Sequence, residues 1–484
     1  MRTCIRHAAW VIVWDAAQGR HVYARDIDVV FDEEGIRYLG PDHRSPVDAE
    51  LDGRAALVMP GLVDVHCHPS AQAVFRGFTE EFGNPRLFFS GRHRFRQSFE
   101  IDEDGALASA EFTLAELLAG GVTTVVDLSH AYPGWLQVLE RSGVRAVVAP
   151  MFRSAAWFTE TGQRTQYEWS ADEGRAAFEE ARFVMDEAER HPSGLFSAMV
   201  SPAQVDTCAE WLLRESADLA TRTGRPLHVH AAQSYAEFAG MTRRLDMTPI
   251  EWLSRIGFLG RSTILGHAVF TDEHPWLHWP ERRDLALLAD TGTSIAHAPT
   301  VFARDGTLLH DLGRVRRAGI NVGIGTDTHP HNMLEEIRTA ELLARVAAGP
   351  THRLGTAEAF ACATIGGARA LGRKDLGRLA VGAQADVVVV DLEHPHMQPV
   401  RDPLRSLIYG AADRAVRDVF VAGRPVVEGG RVRTLDRAGA ARRLAAAQER
   451  AAAGVPARDP LGDDVDRISP RSLPVVQLGV ERTG

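Results

Sequence analysis

Pro60-Gly61-Leu62-Val63-Asp64-Val65-His66-Cys67-His68 is a short apolar run that ends in two histidines. In a strand, alternate side chains share a face, so His66 and His68 point the same way. Working outward, apolar runs of this kind recur at 62–66, 123–128, 145–150, 196–201, 226–230, 262–267, 293–297 and 321–327. Longer stretches of helical periodicity lie between them, among them 111–119, 173–189 and 206–223, and Gly120-Gly121 reads as a helix stop. Eight buried strands, each followed by a helix, predict an α/β fold, a (β/α)₈ TIM-type barrel over 58–377.

The flanks have a different texture. Residues 1–57 read as short β segments at 10–13, 21–30 and 35–39, split by turn residues such as Asp32-Glu33-Glu34-Gly35. Beyond 378 the β texture returns at 385–391, 416–422 and 425–427. Segments 1–57 and 378–435 are therefore expected to build one small β-sandwich domain from both chain ends. The remainder, 436–484, reads as a helix at 437–453 followed by a loosely ordered tail with Pro456, Pro460, Pro470 and Pro474.

Composition bounds the function. The chain has 484 residues, 45% hydrophobic and 24% charged, which is the balance of a folded globular protein. A net charge of -10 with no basic cluster argues against a nucleic-acid face. No apolar run reaches the ~20 residues of a membrane span. The first residues lack a basic segment followed by a long apolar one, as a secretory signal requires. Cys4, Cys67, Cys208 and Cys362 are scattered and form no CxxC pair, which fits a reducing cytoplasm. Lys374 is the only lysine, so no carbamylated or Schiff-base lysine can stand elsewhere.

Active sites of parallel barrels form at the C-terminal strand ends. Here those ends carry His66 and His68, then His228 and His230, then His267, His297 and Asp327. A lone histidine is an ordinary core residue, but five strands ending this way point to a site. Imidazoles with one carboxylate suit zinc or iron. His228 lies deeper on the same face and reads as core. His329 and His331 read as a solvated loop. Gln72, Trp157, Gln204 and Phe302 follow strand ends and are expected to line a pocket for a flat ring. His274, Trp276, His278 and Trp279 suggest a lid or a subunit contact, which is compatible with a homodimer.

Residues 60–68 resemble the opening motif of the amidohydrolase superfamily. Phe75-Arg76-Gly77 follows at the spacing of its aminohydrolase and chlorohydrolase branch, which holds guanine and cytosine deaminases and triazine hydrolases. Leu227-His228-Val229-His230, Gly266-His267, Ala296-His297-Ala298-Pro299, Gly325-Thr326-Asp327 and the segment 376–386 are similar to the later motifs, in order. The resemblance implies that His66, His68, His230 and Asp327 hold one divalent metal, Zn(II) or Fe(II). His267 would be a further ligand or bind the attacking water, and His297 would bond that water or the substrate. It also implies a mononuclear site, since the fourth strand has no lysine to bridge a second ion. A bound metal lowers the pKa of its water to ~7, and Asp327 would carry the proton to the leaving group.

One position departs from the family pattern. Gln233 stands three residues after His230, where the family often has a glutamate that protonates a ring nitrogen. Glutamine donates an N–H but delivers no proton. The expected activity is hydrolytic deamination of an exocyclic amine on a small nitrogen-rich ring, with Asp327, His297, His267 and Gln233 in the chemistry. Gln233, His297, Gln72, Trp157, Gln204 and Phe302 would bind the substrate. The alternatives are hydrolysis of a cyclic amide or amidine, hydrolytic dechlorination, and an inactive scaffold on the same fold.

Overall fold

The computed structural model describes residues 1–78, 90–160, 165–348 and 354–476, with the backbone alone for 90–93. It is a mixed α/β structure. The apolar runs form parallel strands Leu62–Cys67, Val122–Asp127, Arg145–Val148 and Phe196–Ala198, hydrogen-bonded in that order. Leu227–Ala231, Thr263–His267, Ser294–His297 and Val322–Ile324 form a second parallel set. Single bridges join the sets, Val200 and Gln204 to Leu227 and His230 on one side, and Cys67 to Asp327 on the other. The helices that follow the strands, such as Glu103–Ala119 and Glu210–Thr223, bury Leu114, Leu117, Leu212 and Leu213 against Val125, Val148 and Val229. Full burial of a leucine contributes about 1.5–3 kcal/mol, so this layer of contacts fixes where the strand ends stand.

The two chain ends meet in one sheet. Val387–Asp391 pairs antiparallel with Ala56–Pro60, and the sheet runs outward on both sides to Arg431–Val432 and Arg20–Ala24. A four-stranded sheet of Gly35–Gly40, Ile27–Asp32, Thr3–Ala8 and Ala49–Asp52 shares a core with it, built from Ile5, Val29, Phe31, Val58, Val387, Val389 and Phe420. A buried ion pair, Arg145 to Asp386 at 3.2 Å, ties this β region to the third parallel strand.

Three expectations need correction. The eighth strand ends at Ile324, short of Asp327. A hairpin of Ala155–Phe158 and Gln166–Trp169, absent from the strand count, follows the third strand. The tail is ordered as far as residue 468: Val455–Arg458 and Val465–Ile468 are helical, and Asp459 and Asp463 hold Arg94 at 2.6 and 2.5 Å. Pro456 sits at the start of the first of these turns, where its missing N–H has no intrahelical partner to lose. Residues 477–484 of the expected tail lie outside the described residues.

Candidate metal centre

Asp64 fastens the first strand to the loop after the eighth. Its carboxylate accepts the backbone N–H of His66 at 3.0 Å and of Thr326 at 3.1 Å, and the Thr326 hydroxyl at 2.7 Å. Burial pushes this carboxyl up to about 7. The loop then turns sharply. A Cβ on Gly325 would stand 2.6 Å from the His66 Cβ, so only glycine allows the approach. Asp327 takes φ +56° while its N–H bonds the His66 carbonyl at 2.7 Å. Aspartate tolerates this left-handed conformation better than most residues, and it turns the carboxylate toward the first-strand histidines.

The imidazoles converge. His68 donates from Nδ1 to the Leu128 carbonyl and His230 from Nδ1 to the Ala203 carbonyl, each at 2.6 Å. A carbonyl only accepts, so both rings carry their proton on Nδ1 and a lone pair on Nε2. Those two Nε2 atoms lie 3.3 Å apart. Facing lone pairs at that separation repel unless a cation lies among them. The Asp327 carboxylate stands 3.4 Å from His68 Nε2, 3.8 Å from His66 Nε2 and 3.7 Å from His267 Nε2. His66 Nε2 is buried with no hydrogen-bond partner among the described atoms. Burial drives His66 and His230 well below the usual imidazole pKa, which keeps them neutral and able to ligate. Two overlapping sets, His66 with His68 and His230, and His66 with His267 and Asp327, each place their ligand atoms within 4.8 Å of one another. The residues fit a divalent ion.

The family model for the amidohydrolase family matches residues 57–426. The chain belongs to the amidohydrolase family. It is a hydrolase of carbon–nitrogen bonds other than peptide bonds, in the aminohydrolase and chlorohydrolase branch. A 5-methylthioadenosine/S-adenosylhomocysteine deaminase of Natronomonas pharaonis is 30% identical over 425 residues, 87% of this chain and 93% of its own. The crystal structure of an adenosine deaminase from Xanthomonas campestris, with bound zinc, has a TM-score of 0.78 at 26% identity and covers 93% of this chain and 98% of that one. A triazine hydrolase from Arthobacter aurescens has a TM-score of 0.76 at 25% identity, over 92% and 99% of the two chains.

Around the convergent ligands this amidohydrolase places its other polar residues unevenly. His297 is buried with Nδ1 unpartnered among the described atoms, and burial followed by the charge of His267 pushes it down to about 3. Phe302 sets its ring 4.7 Å from the His267 ring. Gln233 is half-buried, and its N–H bonds the Glu237 carboxylate at 3.1 Å. Gln72 is buried, and its carbonyl accepts from His329 Nδ1 at 3.1 Å. Trp157 Nε1 donates to Asp206 at 3.1 Å, and Gln204 Oε1 accepts from the Thr207 hydroxyl at 2.8 Å.

The expected solvated loop is corrected at His331, while His329 is half-buried. His331 is fully enclosed, with Nδ1 3.9 Å from Glu116. His228 is a buried core residue as expected, and its Nε2 lies 3.0 Å from His66 Nδ1. Sequence reasoning also missed Glu237, whose carboxylate accepts from Ala232 at 2.6 Å and Gln233 at 3.1 Å. Its only signal was an acidic residue in the first turn of a helix. Trp276 and Trp279 pack with Phe238, Phe270 and Phe302 beside the site. Among the described residues no helix is long and apolar enough to cross a membrane.

Proposed function

We propose that this amidohydrolase removes the exocyclic amine of a purine of the adenosine type, using one divalent ion, zinc, held by His66, His68, His230, His267 and Asp327. The observation that carries the reading is the pair of facing Nε2 lone pairs of His68 and His230. The deaminases of adenosine derivatives among its relatives support the substrate class. We further read the eight parallel strands as one closed (β/α)₈ barrel over 58–377, flanked by a β-sandwich of 1–57 and 378–435 and followed by a helix and tail at 436–484. The bridges at Cys67–Asp327 and Val200–Leu227 support closure. Four unpaired buried cysteines support a cytoplasmic setting.

A divalent ion in this site supplies a water acidified to ~7 and hence a nucleophile at neutral pH. The chain's own groups do the rest. The Asp327 carboxylate accepts the proton of the attacking water and returns it to the departing amine. His297, neutral at working pH, hydrogen-bonds the reacting centre without delivering a proton. Gln233 orients the ring through its amide. Phe302 walls the His267 side.

Gln233 also supports a second reading, in which the leaving group is halide or another group and no ring protonation is needed. The triazine hydrolase relative is consistent with it. A substrate panel decides: adenosine, its 5′-modified derivatives, other aminated purines and pyrimidines and chlorinated triazines, with ammonia, halide and ring-opened products measured separately. Ammonia release from an adenine ring is expected. Halide release without ammonia favours the second reading, and no turnover of any member favours the inactive scaffold.

A further inference from the structure

We propose that His228 is a positioning residue for the metal site: it holds the His66 proton on Nδ1 and so frees the His66 Nε2 lone pair for the ion. The inference rests on the metal-centre reading above and deepens it.

His68 and His230 have their tautomers set by backbone carbonyls, which can only accept. His66 has no such partner. Its Nδ1 meets another imidazole, His228 Nε2, at 3.0 Å, with ring centroids 5.0 Å apart and both side chains fully buried. One proton lies between the two nitrogens, and two arrangements are possible. If His228 donates, the one ring N–H of His66 sits on Nε2 and blocks ligation. If His66 donates, Nε2 is free and His228 carries its own proton on Nδ1. That Nδ1 has no hydrogen-bond partner among the described atoms, so the productive arrangement leaves a buried N–H unmatched. A residue serving packing alone would be better apolar at this position. The sixth strand makes room for the pair. A Cβ on Gly266 would lie 2.6 Å from His66 Cε1 and 2.9 Å from His228 Nε2. Outer partners of this kind orient metal-ligating histidines, and their loss typically costs about 10–100-fold in metal affinity.

The test uses the full-length parent, His228→Phe, His228→Leu, His228→Gln and Gly266→Ala. Each is stripped of metal and titrated with zinc against a chromophoric chelator, and the melting temperature of each metal-free protein is recorded. Glutamine can place an amide oxygen near the present Nε2 and so restore an acceptor for His66. The expected result is a loss of about 10–100-fold in zinc affinity for His228→Phe and His228→Leu. His228→Gln should stay within a few-fold of the parent. The metal-free Phe and Leu variants should melt no lower than the parent, because the unmatched imidazole is gone. Gly266→Ala should lose affinity by crowding the pair, and it carries the comparison if both apolar variants fail to fold. Parent-like affinity in the apolar variants, or in Gly266→Ala where they do not fold, overturns the inference and leaves the metal site standing. Equal losses in the Gln and apolar variants also overturn it, because His228 would then act by shape alone. A parent that takes up no zinc overturns the metal reading and this inference together.

Discussion

Two buried polar clusters flank the C-terminal end of the fifth strand, and they are built on opposite principles. On one side, His66, His68, His230, His267 and Asp327 bring acceptor atoms toward one point, with two Nε2 lone pairs 3.3 Å apart. On the other, Glu237 and Asp206 are spent on protein groups. Glu237 takes the N–H of Ala232 and Gln233, and Asp206 takes the Tyr167 hydroxyl at 2.7 Å and the Trp157 indole at 3.1 Å. Burial raises the pKa of both carboxyls. Burial and a shifted pKa are thus common to the two clusters. What separates them is convergence: the first brings metal-competent atoms to one point, with His66 Nε2 unpartnered among the described atoms, and the second builds the turn that carries Gln233.

The largest expected effect breaks the first cluster. His66→Ala or His230→Ala should lose both bound metal and activity, read by elemental analysis and ammonia release. Next, Glu237→Ala should keep the metal ligands but leave the N–H groups of Ala232, buried, and Gln233, half-buried, without their carboxylate. A stability loss of about 2 kcal/mol or more is expected in urea unfolding. If that variant lost metal but not stability, the division between the clusters would fail.

Gln233→Ala comes third. Metal content should hold while turnover drops, on the order of a hundredfold, through lost orientation. Gln233→Glu should add a titrating limb to the rate profile that the parent lacks. A Gln233→Ala protein as fast as the parent on its best substrate places Gln233 outside the chemistry.

The smallest effect concerns Asp127, which accepts the Ser129 hydroxyl at 2.5 Å and the Trp135 indole at 2.7 Å. Burial pushes its pKa from 3.8 up to about 7. Below the unfolded value both states hold the proton, and the group is neutral in the balance. As pH rises toward the folded value the unfolded chain releases the proton first, so stability falls across that window. Asp127→Asn removes this dependence, and its stability curve between pH 4 and 7 should be flatter than the parent's.

The first cluster was legible because strand alternation and strand ends are written in the sequence. His66, His68, His230 and His267 each close an apolar run, and a short run with an endpoint needs no tertiary information. Asp327 was legible as a residue but not as geometry, since its left-handed turn depends on Gly325 meeting His66 across the fold. The second cluster was not legible at all. Glu237 reads as an ordinary acidic first turn, and Asp206 as a helix start, until the hairpin with Trp157 and Tyr167 is in place. The place of His228 in the core was legible, but its partner was not. It shares a face with His230, but its contact with His66 spans residues 162 apart. Local periodicity says that a side chain points inward and not what it meets there.

The central claim is that convergent imidazoles and a carboxylate mark a single metal site, and metal stoichiometry tests it most directly. Purified protein should carry about one zinc per chain, lose activity on thorough chelation, and recover it when one equivalent is restored. Two ions per chain, or full activity in the chelated protein, would contradict the account.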